Sequence, residues 1–220
     1  GRPMNPTWSS KIEALKHPSW LYEYFTGEEL NASNWAKYAP KGAKPREVLD
    51  FLATQFPSPS TWDDVAWMRQ MWPRNFVIKG ILSPDDARRA LSMGVDGVMI
   101  SNHGGRQLDR APSPLEVLPV IRDAVGEKMT VMFDSGIRRG SDIVTALSLG
   151  AKFCFVGRWT LYGATAGGEA GARHALSMAS TELSSIMTQI GAPAGWDLFR
   201  FEPIRKRSSG STSGTRWSPG

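Results

Sequence analysis

The chain has a single cysteine, Cys154, among its 220 residues, so it cannot form an intramolecular disulfide. Its apolar neighbours Phe153, Phe155 and Val156 favour a small buried residue in a strand over a reactive thiol. No apolar run approaches the ~18 residues that span a bilayer. The first residues also lack the basic-then-apolar pattern of a secretory signal. We therefore expect a protein of a reducing, cytoplasmic compartment.

The chain has a modest excess of positive charge, with a formal net charge of +5. Part of the excess lies near the C-terminus, at Arg200, Arg205, Lys206, Arg207 and Arg216. No recognised nucleic-acid motif accompanies these residues, so we expect no nucleic-acid partner. The tail is interpreted as a solvated basic segment, with attraction to an anionic lipid surface as the alternative.

The chain divides into three regions of different composition. Residues 1–60 are rich in Pro, Gly, Trp and Tyr, and we interpret them as an irregular aromatic excursion with short helices over 19–25 and 45–52. Residues 61–192 have a regular pattern and form the predicted folded domain. Residues 193–220 contain the run SSGSTSG, which is a flexible-linker composition, so we predict a disordered tail.

Strand and helix patterns alternate through the middle region. Four short apolar segments without polar alternation predict buried parallel strands, at residues 76–80, 97–101, 130–133 and 152–156. Helices begin after Thr61, Ser83, Ser113 and Ser141, and a last long helix is predicted over 169–190. The pattern predicts an α/β fold, either an open doubly wound sheet or part of a TIM barrel.

Polar and glycine-rich segments follow each predicted strand. Lys79 ends the first, SNHGGRQLD at 101–109 follows the second, DSGIRRG at 134–140 the third, and Gly157-Arg158 the fourth. Because the carboxyl ends of parallel strands carry the ligands in such folds, these segments predict one shared site.

The residue types in these segments indicate the chemistry of the site. His103 can accept a proton near neutral pH, and Arg106 can hold a carboxylate through two parallel hydrogen bonds. Glycines beside Arg138 and Arg158 suit a phosphate group. The alternative interpretations are a turn histidine, a surface arginine and a structural salt bridge at Lys79. No metal site is predicted.

The segment at 101–109 resembles the signature of the FMN-dependent 2-hydroxy-acid dehydrogenases, a family that includes flavin-type L-lactate dehydrogenase, mandelate dehydrogenase and glycolate oxidase. IKG at 78–80, DSGIRRG at 134–140 and Gly157-Arg158 match in the family's order. The resemblance covers residues 61–192, and more loosely the chain from residue 16. It implies the C-terminal half of a TIM (β/α)8 barrel, with strands 5 to 8 of the family's barrel.

The resemblance also implies a role for each matching residue. His103 is the catalytic base and contacts the substrate, and Arg106 binds the substrate carboxylate. Lys79 contacts the N1/O2 side of the flavin ring, and Ser101 helps to hold the flavin. The remaining cofactor-binding residues hold the FMN chain and phosphate: Asp134, Ser135, Gly136, Ile137, Arg138, Gly157 and Arg158. The implied reaction oxidises a small L-2-hydroxy acid, lactate-like in its closest branch, with FMN as electron acceptor.

The family's first four strands have no counterpart in the chain, and neither has the aspartate that orients the histidine. A truncated, non-catalytic fragment that binds flavin or phosphate weakly or not at all is therefore the alternative function, and a different phosphate-binding TIM barrel is a third. The family pattern implies an electron acceptor such as oxygen, quinone or cytochrome, and a tetramer-type homo-oligomer for the full-length member. The aromatic excursion suggests peripheral contact with the inner face of the membrane, or packing on the protein itself.

Overall fold

The computed structural model describes residues 7–27, 33–55 and 60–192. The chain forms two compact units that divide between Val65 and Ala66. The boundary lies within a helix, α5 (Trp62–Met71), whose first turn is capped by Thr61 as predicted. The predicted disordered tail at 193–220 lies outside the described residues.

The described part of the first unit consists of short helices joined by turns and irregular segments. Its helices are α1 (Trp8–Leu15), α2 (Pro18–Thr26), α3 (Ser33–Ala36) and α4 (Pro45–Thr54). The helices predicted over 19–25 and 45–52 are confirmed as α2 and α4. Large apolar side chains on α1 and α2 are exposed rather than buried, and Val48 on α4 is the deeply buried residue of this part of the chain.

The second unit is built on four parallel strands whose order in the sheet follows the order of the chain. The strands are β1 (Val77–Ile81), β2 (Gly97–Ile100), β3 (Thr130–Asp134) and β4 (Phe153–Phe155). The sequential order β1-β2-β3-β4 has no point at which the direction of strand addition reverses. A doubly wound sheet has such a reversal, so the observed order favours the TIM-barrel alternative.

Each strand is followed by a helix. The helices are α6 (Pro84–Ser92), α7 (Pro114–Val125), α8 (Gly140–Ser148) and α9 (Arg158–Gln189), with short 3-10 turns at His103–Gly105 and Gly126–Lys128. Ser83 caps α6 as predicted, because its hydroxyl accepts the amide hydrogens of Asp85 and Asp86. This cap fixes where the chain leaves the loop after β1.

The last helix begins much earlier than predicted, and α8 begins at Gly140, before the predicted start at Ser141. The sequence placed the start of the last helix at residue 169, but α9 begins at Arg158 and is broken by non-helical backbone at Gly167 and Gly168. Gly167 and Gly168 form a kink between two helical pieces, and the second piece corresponds to the predicted helix. As a result, a helix N-terminus lies directly after β4, beside Gly157.

The core lies between one face of the sheet and the helices. Alternate strand residues, such as Val98, Ile100, Val131 and Phe133, are almost fully buried, as are Leu118 and Ile121 of α7. The opposite face carries the intervening residues, and Phe153 is 56% exposed there. The helices thus cover one face, and every strand-end loop opens at the same edge of the sheet.

Candidate active site

An open cleft of about 1170 Å³ lies at the carboxyl edge of the sheet. It is lined by segments that follow all four strands, including Lys79, the His103 loop, residues 134–138 and residues 156–158. The sequence predicted that these segments form one site, and the structure confirms that they meet. The strands are parallel, so their carboxyl ends lie at the same edge of the sheet. Four segments that are far apart in the sequence are therefore neighbours in the cleft.

A hydroxyl and an ion pair form the floor of the cleft. The Nζ of Lys79 lies 2.6 Å from Oδ2 of Asp134 and donates a hydrogen bond to Oγ of Ser101 at 2.9 Å. Ser101 is fully buried and donates to the same Asp134 oxygen at 2.8 Å. The ends of β1, β2 and β3 are therefore connected by a charge-assisted network.

The network keeps Asp134 ionised. Burial by itself raises the pKa of this carboxyl, but hydrogen bonds from Lys79 and Ser101 and the charge of Lys79 outweigh it, so the pKa of Asp134 lies below its ordinary value. The Lys79 side chain is 44% exposed and that of Asp134 is 19% exposed. The cleft therefore presents a cation whose counter-ion lies deeper in the protein.

His103 begins a tight turn with left-handed backbone. Its φ is 56°, and Gly104 and Gly105 follow with φ of 65° and 71°. The amide of His103 donates to Oγ of Ser101 at 3.1 Å, and the side-chain oxygen of Asn102 accepts the amide of Gly105 at 3.2 Å. Left-handed backbone is unfavourable for a histidine, and these two side-chain hydrogen bonds stabilise it here. The imidazole of His103 lies at the exposed rim of the cleft.

Ser135 connects the third strand end to this turn. Its φ is 91°, which is unusual for a residue with a side chain. Its hydroxyl accepts the amide of Gly104 at 3.0 Å and lies 3.1 Å from Oγ of Ser101. The side chain that the resemblance assigned to the cofactor therefore also braces the loop of the predicted base.

Three guanidinium groups face the cleft without a carboxylate partner among residues 60–192, those of Arg106, Arg138 and Arg158. The Arg138 guanidinium lies over the ring of Tyr162, 5.7 Å from its centroid, and Arg158 donates to the carbonyl oxygen of Gly104. Three uncompensated cations around one cleft favour an anionic ligand.

The backbone beside β4 also suits an anion. The first turn of α9 has no acidic residue and no side-chain cap, so its first amides have no partner within the helix, and Gly157 and Arg158 at this end line the cleft. A Cβ added at Gly136 or Gly157 would meet no atom within 4 Å, so both glycines border open space. The α8 N-terminus is different, because Asp142 accepts the amides of Arg138 and Arg139. The donor set at Gly157-Arg158 therefore fits a phosphate group.

The predicted site residues take up two kinds of position. Ser101 is buried beneath the cleft, and the other predicted residues line it: Lys79, His103, Arg106, Asp134, Ser135, Gly136, Ile137, Arg138, Gly157 and Arg158. Ile137 is only 6% exposed, so its backbone is the part available to a ligand. The roles assigned to these residues stay predictions.

Two contributors to the cleft carried no assignment in the sequence. Tyr162, on the first turns of α9, supports the Arg138 guanidinium, and Asn102 caps the His103 turn. Asparagine directly before a turn with glycines is a capping signal, so Asn102 could have been found. Within residues 60–192 no carboxylate lies at ion-pair distance from His103.

The fold and the site define a class of protein: a parallel α/β scaffold in which a histidine, arginines and glycines line one cleft at the carboxyl edge of the sheet. A family model for FMN-dependent dehydrogenases matches residues 2–199. The chain belongs to this FMN-dependent dehydrogenase family, whose cofactor is FMN and whose solved members are TIM-barrel enzymes.

Characterised relatives are named for two 2-hydroxy acids. An L-lactate dehydrogenase from Pectobacterium atrosepticum is 38% identical over 188 residues, which are 85% of this chain and 49% of the relative. One from Chromohalobacter salexigens is 37% identical over 182 residues. A solved structure, the monotopic membrane protein (S)-mandelate dehydrogenase, superposes with a TM-score of 0.82 at 36% identity, covering 90% of this chain and 52% of that one. The chain spans about half the length of the relatives it matches.

Proposed function

We propose that the chain provides the FMN-binding and substrate-binding half of a site that oxidises a small L-2-hydroxy acid, lactate-like in size, to the 2-oxo acid. The observation that carries the proposal is that one cleft is lined by His103 and Arg106 together with Lys79, residues 134–138 and residues 156–158. The resemblance assigns Lys79 and residues of the other two segments to the flavin cofactor. The names of the relatives support a 2-hydroxy acid as the substrate class.

His103 and Arg106 serve the substrate in this proposal. The guanidinium of Arg106, free of a carboxylate partner within the described part of the chain, binds the substrate carboxylate through two parallel hydrogen bonds. The imidazole of His103 accepts the proton that the substrate releases on oxidation. Both residues belong to one turn and are three positions apart in the sequence. The proton acceptor and the carboxylate-binding group are therefore close to each other.

The other cleft residues serve the cofactor. FMN, when bound, accepts the two electrons from the substrate α-carbon. The Lys79 ammonium, held by Ser101 and Asp134, provides positive charge for the flavin ring. Gly157 and Arg158 bind the phosphate at the start of α9, and Arg138 adds a second guanidinium. Asp134, Ser135, Gly136 and Ile137 border the chain that joins ring and phosphate.

Titration of the purified chain with FMN, followed by anaerobic L-lactate, tests the proposal. Saturable binding and bleaching of the flavin absorbance support it. Binding without bleaching favours the second candidate, a non-catalytic fragment that holds flavin, which is supported by the lack of a carboxylate beside His103 among residues 60–192. Failure to bind FMN or phosphate would contradict the cofactor assignment.

The Arg106→Lys variant separates substrate binding from cofactor binding. Lysine keeps the charge but loses the two-pronged grip, so the affinity for L-lactate or the analogue oxalate should fall by roughly 10-fold or more. The affinity for FMN should stay within about twofold. Arg173→Lys, which changes an exposed arginine on α9 that pairs with Glu169, is the matched control. Equal loss of both ligands would remove Arg106 from the substrate site.

We also propose peripheral contact with an anionic membrane, at the cytoplasmic face. On α1 and α2 of the first unit, Trp8, Tyr22 and Phe25 are 78%, 70% and 76% exposed. Lys11 lies 4.7 Å from the Trp8 ring, so cationic and aromatic groups share this surface. Of the helices among the described residues, none is long and apolar enough to cross a bilayer. Co-sedimentation with vesicles, with and without anionic lipid, tests the contact, and loss of binding in Trp8→Ser with Phe25→Ser supports it.

Two further properties of the proposed enzyme follow the family pattern. The electron acceptor is oxygen, a quinone or a cytochrome, and steady-state assays with each distinguish them. The complete protein forms a tetramer-type homo-oligomer, which light scattering of the purified protein measures directly.

A further inference from the structure

The first strand ends in an irregularity that lies beside the predicted base. The pairing of β1 with β2 runs in register from Val77 to Lys79 and shifts between Lys79 and Ile81. The residue at the shift is Gly80, with φ of 95°, a conformation that residues with side chains rarely adopt. A bulge with a glycine in left-handed backbone re-aims the side chains on either side of it.

The space above Gly80 is filled by the imidazole of His103. A Cβ added at Gly80 would lie 2.8 Å from Cε1 of His103, closer than two carbon atoms approach in proteins, and 3.7 and 3.8 Å from Nδ1 and Nε2. The ring therefore rests with its Cε1 edge on bare glycine backbone. The obstructed atom belongs to a side chain, so an added methyl group would move the ring rather than the backbone of β1.

We propose that Gly80 is a positioning residue for His103. The bulge at Gly80 allows the ring to approach β1 and sets how far the imidazole lies from the cation of Lys79, the preceding residue. The backbone of His103 is fixed separately, by its amide hydrogen bond to Ser101. The backbone of His103 is thus positioned by Ser101, which follows β2, and its ring is positioned by Gly80 of β1. A substitution at Gly80 should therefore displace the ring and leave the backbone of His103 in place.

The Gly80→Ala variant tests the proposal by NMR of the histidine Cε1–H groups. The chain has three histidines, so the His103 signal can be assigned with a His103→Ala variant. We expect Gly80→Ala to shift the His103 resonance and to leave those of His17 and His174 in place. This readout needs neither FMN nor turnover.

Gly150→Ala is the matched control for backbone strain. Its φ is 107°, and an added Cβ would lie 2.8 Å from Cγ of Arg122, so strain and crowding resemble those at Gly80 while the cleft is not involved. We expect the two variants to lose similar thermal stability, but only Gly80→Ala to move the His103 signal. An unmoved His103 signal in folded Gly80→Ala, or an equal movement in Gly150→Ala, would overturn the proposal.

A measurement on the unchanged chain covers the case in which Gly80→Ala does not fold. The geometry requires a nuclear Overhauser effect between the α-protons of Gly80 and the Cε1 proton of His103, and its absence would overturn the proposal.

The catalytic consequence rests on the proposed function: where the chain turns over L-lactate, flavin reduction in Gly80→Ala should slow by up to roughly 100-fold while FMN affinity is unchanged. Loss of the NMR effect and loss of turnover are separate results, so failure of either proposal can be recognised.

Discussion

Replacement of Lys79 by methionine removes the cation from the floor of the cleft and leaves a side chain of similar length. In the native chain the Lys79 ammonium lies 2.6 Å from the Asp134 carboxylate. Without it, Asp134 keeps the hydrogen bond from Ser101 but loses its counter-ion, while its burial is unchanged. The pKa of Asp134 should therefore rise, since burial favours the neutral acid.

The loss of stability should be moderate. A charge-assisted hydrogen bond contributes about 1.5–3 kcal/mol, and an exposed pair only about 0.2–1 kcal/mol. Lys79 is 44% exposed and Asp134 is 19% exposed, so the pair lies between these cases and solvent screens part of the attraction. We expect Lys79→Met to lower the free energy of unfolding by about 1–2 kcal/mol at pH 7.

The pH dependence gives the sharper test. Because the pKa of Asp134 is lowered in the folded state, the folded chain binds fewer protons than the unfolded chain. The contribution of the pair is therefore complete above the unfolded pKa and is lost as the pH falls through the folded pKa. The difference in the free energy of unfolding between the native chain and Lys79→Met should shrink below about pH 4.

The control is Arg88→Met, which breaks an exposed pair with Asp85. It should lower the free energy of unfolding by at most about 0.5 kcal/mol. Urea unfolding measures all three proteins, and a Lys79→Met loss that is equal at every pH would refute the reasoning.

Two further predictions concern a core leucine of the second unit and the half-buried Cys154 of β4. Leu118→Ala should lower the free energy of unfolding by about 2–5 kcal/mol, because the side chain is fully buried and the variant leaves a cavity; a loss below about 1 kcal/mol in urea unfolding would show that the site collapses around the gap. Burial raises the pKa of the Cys154 thiol to about 12, so alkylation by iodoacetamide at neutral pH should be slow in the native chain and fast in urea. Rapid alkylation of the native chain, followed by mass spectrometry, would contradict the placement of Cys154.

Much of the fold could be predicted from local sequence. The apolar runs that became β1–β4, and the capping residues Thr61 and Ser83, carry their signals within a few neighbouring residues. The position of the cleft followed as well, because parallel strands bring their carboxyl ends to one edge. The start of the last helix was misplaced, because Gly167-Gly168 is compatible with a helix start and with a kink until the packing is known.

What the sequence by itself determined is the set of residue types at the strand ends: a histidine and an arginine three residues apart, His103 and Arg106, and glycines beside arginines. Only the tertiary structure decided how they are held. Ser101 binds Lys79, Asp134 and the amide of His103 at once, and these partners lie far apart in the chain. The support of the His103 ring by Gly80 likewise joins two strands. Such contacts depend on strand order, register and the bulge in β1, and no local pattern of residues encodes the distance between two strands.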